Sequence, residues 1–335
     1  MHLGLYTAPL HDRSLADALR VVADTGLDAV ELNTGGFLPA AHIPVKEIDK
    51  DPAVGKDWLS IFDGTGVSLQ GLNCNGNPLH PDQRTGVAHA ADLRRSIRVA
   101  GALGQSRVVT MSGLPGSEPH TRQPSWVVNA WSSRALDVLE YQWELAVPFW
   151  QEIDQLAGDH GVKVAIELHP QNLVFNPPSF LELVERAGTS HIGVELDASH
   201  LFWQQMDPVH VVERLGAHVV HAAAKDVRIN PEAAWCGVLD NSFRRLSPEE
   251  QRTQIGAEEW VNEWPQRSAW DFVALGRGHG ADYWARFLTA LHAVDPDIAC
   301  HIEHEDTSLG AVEGVQQAAV VLLEAADLAD IPRQG

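Results

Sequence analysis

The chain has little of what marks secreted, membrane-bound or nucleic-acid-binding proteins. Its 335 residues include only three cysteines, and 24 lysines and arginines stand against 45 aspartates and glutamates, a formal net charge of −21. Cysteines so few, without CxxC or zinc-ribbon spacing, exclude a disulfide framework and predict a reducing compartment. A negative charge of this size repels phosphate backbones and therefore disfavours nucleic acid as a partner.

Long apolar runs are also missing. No stretch reaches the roughly 20 apolar residues of a membrane span, and the first residues lack the cationic start and apolar run of a secretory signal. We therefore expect a cytoplasmic protein with no membrane partner. The 44% hydrophobic and 21% charged residues are typical of a globular protein.

Short runs rich in β-branched residues alternate with helical patterns along the chain. The predicted strands are His2–Tyr6 and residues 28–33, 67–73, 107–112, 162–168, 191–196, 218–223 and 298–302. The predicted helices are residues 14–26, 85–104, 134–161, 179–188, 208–216, 282–294 and 309–328, with a weakly indicated one near residues 54–66. This alternation predicts a (β/α)8 TIM barrel, with residues 1–335 forming one catalytic domain. The competing doubly wound sheet needs a glycine-rich turn after the first strand, where this chain has TAPLHD.

Two long insertions interrupt the alternation, residues 113–133 after the fourth strand and residues 227–277 after the seventh. The second insertion holds four tryptophans, Trp235, Trp260, Trp264 and Trp270. Both insertions follow the carboxyl ends of strands, where barrels keep their active sites. Long loops in compact domains are usually functional lids or disordered, and tryptophans argue against disorder. We expect a lid that also forms a subunit contact, and hence an oligomer, with stacking on a sugar ring as the alternative.

Strong metal ligands lie at the ends of the last four strands, in the segments IELHP, VELDASH, HAAAKD and HIEHED. The proposed metal ligands are Glu167, Asp197, His221 and Glu303. One such residue alone is more often a hydrogen-bonded structural group. Four neighbouring strands, however, can bring their side chains to one point at the barrel mouth, and carboxylates buried together without a cation are costly.

Three carboxylates and one imidazole form an oxygen-rich set. Such a set suits one divalent ion, with Mn favoured and Mg, Co and Zn as alternatives. Open positions on the metal would bind substrate oxygens and polarise a carbonyl, so that a neighbouring proton can leave. A carboxylate or histidine beside the metal would act as the base.

These segments resemble the xylose-isomerase-like TIM-barrel superfamily, which contains sugar phosphate isomerases/epimerases, inosose dehydratases and endonuclease IV. The similarity spans nearly the whole chain and includes IELHP, ELDASH, HAAAKD, IEHED and the stretch GRGHGADYW at residues 276–284. The family's GxGxxD-like loop falls on Gly276, Gly278 and, one residue late, Asp282. The resemblance implies the same metal ligands, in the order Glu, Asp, His, Glu on strands five to eight.

Further roles are assigned around this set. His169, Glu167 and Glu303 are the candidate acid/base residues, and the candidate substrate contacts are His200, Lys225 and Asn75. Lys225 either stabilises an oxyanion or pairs with Asp226. The asparagines of LNCNGNPLHP either bind sugar hydroxyls or are turn residues, and the turn role is favoured for Asn77, which precedes a proline.

The two favoured functions share a proton abstraction and differ in the step that follows it. The first is a metal-dependent isomerase or epimerase acting on a small carbohydrate. The second is a lyase that cleaves 3-keto C-glycosides, since the tryptophan-bearing insertion and LNCNGNPLHP resemble the catalytic subunit of C-glycoside deglycosidases, which work with a small β-sandwich partner subunit. An endonuclease IV-like phosphodiesterase and a non-catalytic sugar-binding barrel are less favoured, because the histidine pattern and charge oppose the former and the intact ligands oppose the latter.

Overall fold

The computed structural model describes residues 1–250 and 260–332, and within these ranges parallel strands close into a barrel. The barrel strands are β1 His2–Tyr6, β2 Ala29–Asn33, β3 Ser68–Asn73, β4 Arg107–Met111, β5 Lys163–Glu167, β6 Ile192–Asp197, β7 Val219–Ala224 and β10 Ala299–Ile302. The last strand pairs with the first, Gly4 opposite His301, which completes the ring. The predicted (β/α)8 TIM barrel is therefore confirmed.

Helices connect successive barrel strands. They are α1 Leu15–Thr25, α2 Val45–Lys50, α3 Pro52–Leu59, α4 Gln83–Leu103, α5 Ser133–His160, α6 Pro177–Ala187, α7 Ala198–Trp203, α8 Pro208–Leu215, α9 Ala233–Cys236, α10 Ala281–Val294 and α11 Ala311–Leu328. Local sequence sets their ends, as in α1, where the Ser14 side chain accepts a hydrogen bond from Asp17 N and Gly26 ends the helix at φ 83°. In the described part of the chain, no helix combines the length and apolarity needed to cross a membrane.

Two helical regions outside the insertions differ from the prediction. The weakly predicted helix near residues 54–66 is found as α3, which begins and ends earlier, and α2 before it was not predicted. Asp51, extended at φ −141°, separates the two helices and caps α3 by accepting from Ala53 N. The other is α7, a short helix directly after β6 that the sequence pattern did not reveal. Asp197 caps it, with Oδ1 accepting from Ser199 N at 2.8 Å. One carboxylate oxygen of Asp197 is thereby used for structure and the other, Oδ2, is left for the barrel mouth.

The two insertions take different forms. Residues 113–132 run irregularly between β4 and α5, whereas the second insertion begins and ends in an antiparallel pair, β8 Asp226–Ile229 and β9 Trp270–Val273. Trp270 stacks on Trp203 of α7 with ring centroids 5.1 Å apart, and Trp264 Nε1 donates to Trp270 O. This pair therefore packs beside the strand ends, while residues 251–259 of the same insertion lie outside the described residues.

A buried carboxylate fixes the loop that leads from β9 to α10. Asp226 Oδ2 accepts from the backbone nitrogens of Gly276, Gly278 and His279 at 2.9–3.0 Å, and Oδ1 lies 2.7 Å from His279 Nδ1. Asp226 is fully buried, so its charge depends on these donors for solvation. The glycine-rich stretch picked out by the family resemblance is thus organised around the aspartate that begins β8.

Replacing Asp226 with asparagine should destabilise the protein by about 3 kcal/mol, because an amide loses the charge and turns an NH2 toward backbone donors. Urea unfolding followed by circular dichroism measures this loss. Asp240→Asn is the matched control, since Asp240 lies exposed on the same insertion and should leave unfolding nearly unchanged. Equal unfolding midpoints for Asp226→Asn and the unaltered protein would contradict the role given to this carboxylate.

Candidate metal centre and active site

The predicted ligands occupy two different depths in the barrel. Glu167 and Asp197 are the last residues of β5 and β6, and Glu303 directly follows β10. His221 instead lies within β7, three residues before its end. The register pairs His221 with Glu195 and places Ala223 opposite Asp197, so His221 belongs to the layer below Asp197.

At the upper level, three of the four predicted ligands meet in one group. We call Glu167, Asp197, His200, Lys225 and Glu303 the mouth cluster. His200 Nε2 lies 3.2 Å from both Glu167 Oε1 and Asp197 Oδ2. Lys225 Nζ lies 3.2 Å from Glu303 Oε2 and 3.7 Å from Asp197 Oδ2. The mouth cluster thus includes two residues, His200 and Lys225, that the sequence analysis assigned to substrate.

At the lower level, His221 joins a separate group. We call Glu31, His221 and His301 the buried triad. Glu31 Oε2 lies 2.7 Å from His221 Nε2 and 2.9 Å from His301 Nδ1, and the two nitrogens are 3.0 Å apart. Asn73 orients the carboxylate by donating to Glu31 Oε1 at 2.8 Å. The ligand atoms of the buried triad lie close enough to share a metal ion, and so do those of Glu167 and His200 together with the neighbouring His169.

The missing hydrogen bonds of the mouth cluster, and not only its residue types, fit a divalent cation. Asp197 Oδ2 and His200 Nε2 are buried and, among the described residues, neither makes a hydrogen bond, although they lie 3.2 Å apart. Buried polar atoms are normally satisfied. These two atoms converge beside a second carboxylate, Glu167. A cation bound there would give both atoms the partner that they lack.

Burial sets the charges in this region. It raises the pKa of Glu303 and Glu195 well above the ordinary value and also raises that of Asp197, with neighbouring carboxylates adding to the effect. Burial opposes the charge of Lys225, but Glu305 and Glu303 hold the lysine pKa well above its ordinary value. Without a bound cation these carboxyl groups therefore resist ionisation, and the Lys225 ammonium is the fixed positive group among them.

His169 lies at the edge of the mouth cluster as a neutral imidazole. Burial, followed by the charge of His200, lowers the pKa of His169 to about 4. Its Nδ1 lies 2.6 Å from the carbonyl oxygen of Pro170, and because a carbonyl only accepts, Nδ1 carries the proton. Nε2 then holds a lone pair that can accept a proton from a substrate.

The asparagines that follow β3 divide between the site and the scaffold. Asn75 Nδ2 donates to Glu167 Oε2 at 2.5 Å, which places Asn75 next to the mouth cluster. Asn77 instead donates to Leu114 O at 3.1 Å and accepts from Leu114 N at 2.9 Å. Asn77 thus ties the loop after β3 to the first insertion, in line with the structural role favoured for it.

Three residues at the site escaped the sequence analysis. Glu31 and Glu195 each lie inside an apolar strand, and a lone carboxylate in such a run was the signal available for both. Phe272 comes from the second insertion, and its ring centroid lies 4.5 Å from Lys225 Nζ and 5.8 Å from that of His200. Nothing in the sequence marks Phe272 among the other aromatic residues of that insertion.

Comparison with known proteins gives one family and several similar folds. A family model described as "Xylose isomerase-like TIM barrel" matches residues 19–325. The chain is 30% identical over 327 residues to the uncharacterized protein YfiH of Bacillus subtilis (strain 168), covering 96% of this chain and 98% of that protein.

Solved structures resemble the fold at low identity. The IOLI protein with a bound zinc atom has a TM-score of 0.61 at 18% identity, covering 98% of this chain and 99% of its own. A D-tagatose 3-epimerase-like protein has the same score and identity, with 98% of each chain covered. The probable 3-DHS dehydratase AsbF from Bacillus anthracis also scores 0.61, at 16% identity over 96% of this chain and 99% of its own.

Replacing Lys225 with methionine should destabilise the metal-free protein by about 3 kcal/mol, because Asp197 and Glu303 lose their buried cationic partner. Added Mn²⁺ should then raise the melting temperature more in this variant than in the unaltered protein. Lys163→Met is the matched control, since Lys163 is exposed and its Nζ contacts the backbone oxygen of Ser190. If the Lys225 and Lys163 variants melt alike without metal, the ammonium does not hold the carboxylates together.

Proposed function

We propose, since the chain belongs to the xylose isomerase-like TIM barrel family, that it is a divalent-metal-dependent isomerase or epimerase acting on a sugar-like substrate. In this reaction a proton next to a carbonyl is removed and returned elsewhere. The observation that carries the proposal is the convergence of Glu167, Asp197 and His200 through atoms that make no hydrogen bond with one another.

The metal would be held by the three carboxylates Glu167, Asp197 and Glu303 with one imidazole. His221 was the predicted imidazole, but the contacts favour His200, which lies against two of the carboxylates. When bound, the divalent ion would polarise the substrate carbonyl. The oxygen-rich donor set favours Mn, with Mg, Co and Zn as alternatives.

The chain's own groups supply the proton transfer. His169 Nε2 bears the lone pair of a neutral imidazole, so it accepts the proton from the carbon next to the carbonyl. Lys225 keeps a positive charge at the same site and stabilises negative charge on a substrate oxygen. Asn75 holds Glu167 in place, and the ring of Phe272 lies beside Lys225 and His200.

The known relatives are compatible with this chemistry. One similar structure is described as D-tagatose 3-epimerase-like and another carries a zinc atom. A lyase remains the second candidate, because proton abstraction beside a ketone also permits loss of a neighbouring group, and one similar structure is a probable dehydratase. Trp131 and Trp235, one on each insertion, are 93% and 90% exposed, and a small partner subunit of the kind a C-glycoside deglycosidase uses would cover such rings.

Deuterium exchange tests the proposal whatever the final product is. The purified protein, loaded with Mn²⁺, is incubated in D2O with free ketoses, inososes and 3-keto glycosides, and NMR follows the carbon-bound protons. We expect deuterium to enter next to the carbonyl of at least one substrate. A new sugar epimer or isomer identifies the isomerase, whereas a released aglycone, especially with a co-purified partner chain, identifies the lyase.

Two controls make the exchange specific. Glu303→Gln should abolish it and weaken metal binding, since a carboxylate ligand is lost. Exhaustive chelation should stop it, and added Mn²⁺ should restore it. Exchange that is insensitive to a strong chelator, or absent with every substrate at full metal loading, would count against the proposed reaction.

Replacing His169 with glutamine should lower kcat by about 10²–10⁴-fold, because the lone pair that accepts the proton is removed. Metal content, measured by elemental analysis, should stay at the level of the unaltered protein. His210→Gln serves as the matched control, since His210 lies on α8 and is 64% exposed. Loss of metal together with activity would make His169 a ligand instead of the base.

A further inference from the structure

We infer that the buried triad of Glu31, His221 and His301 is a second metal site, which binds a nitrogen-preferring first-row divalent ion independently of the mouth cluster. Three donor atoms, one carboxylate oxygen and two imidazole nitrogens, converge at this point. Two imidazoles and one carboxylate form a ligand set that suits Zn²⁺, Co²⁺, Ni²⁺ or Fe²⁺ more than the oxygen-rich set above it.

The spacing of the donor atoms supports this inference. The distances among Glu31 Oε2, His221 Nε2 and His301 Nδ1 are 2.7, 2.9 and 3.0 Å. Neighbouring ligands on one face of an octahedral ion, with bonds of about 2.1 Å, are roughly 3 Å apart. The three atoms are thus already spaced as adjacent ligands of a single ion.

The triad also supplies a buried anionic ligand. Glu31 is 1% exposed, and within residues 1–250 and 260–332 its ion-pair contacts are the two histidines. A buried carboxylate needs a positive partner or a set of donors. Asn73 satisfies Oε1, which leaves Oε2 facing two imidazole nitrogens that lie only 3.0 Å apart.

The barrel wall makes room for the two rings. A Cβ on Gly4 of β1 would come within 2.5 Å of His301 Cδ2, and one on Gly71 of β3 would lie 3.1 Å from His221 Cε1. Glycine in a strand interior is unfavourable and often marks a close approach. Two strands therefore have a glycine, with no side chain, at the places where the imidazoles of the triad pack.

Glu195 lies between the two groups. It pairs in register with His221 on one side and with Glu167 on the other. Its Oε2 is buried and, among the described residues, has no hydrogen-bond partner. A further unsatisfied carboxylate oxygen thus belongs to a residue that neighbours both His221 of the triad and Glu167 of the mouth cluster.

Cobalt binding to the full-length protein tests the second site. Protein stripped by a chelator is loaded with Co²⁺, freed of excess metal by desalting, and its bound cobalt is measured by elemental analysis. The unaltered protein should hold about two ions per chain and His301→Asn about one, while Glu303→Gln should retain the buried ion. Asparagine is chosen because its amide takes the place of Nδ1 and can still donate to Glu31.

The outcomes separate this inference from the proposed function. If the mouth cluster binds no metal, the unaltered protein and Glu303→Gln should each hold about one ion and His301→Asn none, and the second site stands. Equal cobalt in folded His301→Asn and the unaltered protein overturns it.

Should His301→Asn fail to fold, X-ray absorption of cobalt-loaded Glu303→Gln decides instead. Scattering from two imidazoles supports the second site, and a shell with one imidazole or none overturns it.

Discussion

Burial of negative charge is the constraint on which the rest of this barrel depends. Five acidic side chains, each at most 8% exposed, line its interior and mouth: Glu31, Glu167, Glu195, Asp197 and Glu303. Carboxylates removed from water are costly unless paired, and they raise one another's pKa. Lys225, Asn73 and Asn75 each contact at least one of these carboxylates and offset part of that cost.

The groups that offset the cost of burying carboxylates differ between the two layers of the barrel. Near the mouth, the Lys225 ammonium lies among Asp197 and Glu303, and unsatisfied donor atoms leave a place for a cation. One layer below, imidazoles face the carboxylate of Glu31, and glycines in neighbouring strands make space for their rings. Because inward-facing residues recur every second position, a single strand such as β6 contributes to both layers, through Glu195 and Asp197.

The sequence was sufficient for the barrel and for most of its mouth. Alternating strand and helix patterns determine a (β/α)8 fold because few other arrangements bury so many β-branched strands. Depth was harder to predict, since it depends on the register between strands, which is a tertiary property. His221 is therefore found one layer below Asp197, paired with Glu31 from a strand 190 residues away.

The local roles of single residues explain the other differences between the predicted and the observed helices. Asp51 and Pro52 separate α3 from the unpredicted α2, because an extended residue before a proline starts a new helix instead of continuing the old one. The helix α7 was missed for a similar reason. It starts at Asp197, a residue that the sequence analysis had reserved for metal binding, and one carboxylate serves both purposes through different oxygens.

The two residues after β7 couple the site to the second insertion. Lys225 directs its ammonium into the mouth cluster, whereas the next residue, Asp226, is bonded to the loop at residues 276–279. The strand β9 that precedes this loop carries Phe272, which lies against Lys225. Two adjacent residues thus fix the positive charge of the site and the position of its aromatic wall. Other parts of the insertion, including the exposed Trp235, can therefore vary for substrate or partner without moving the carboxylates.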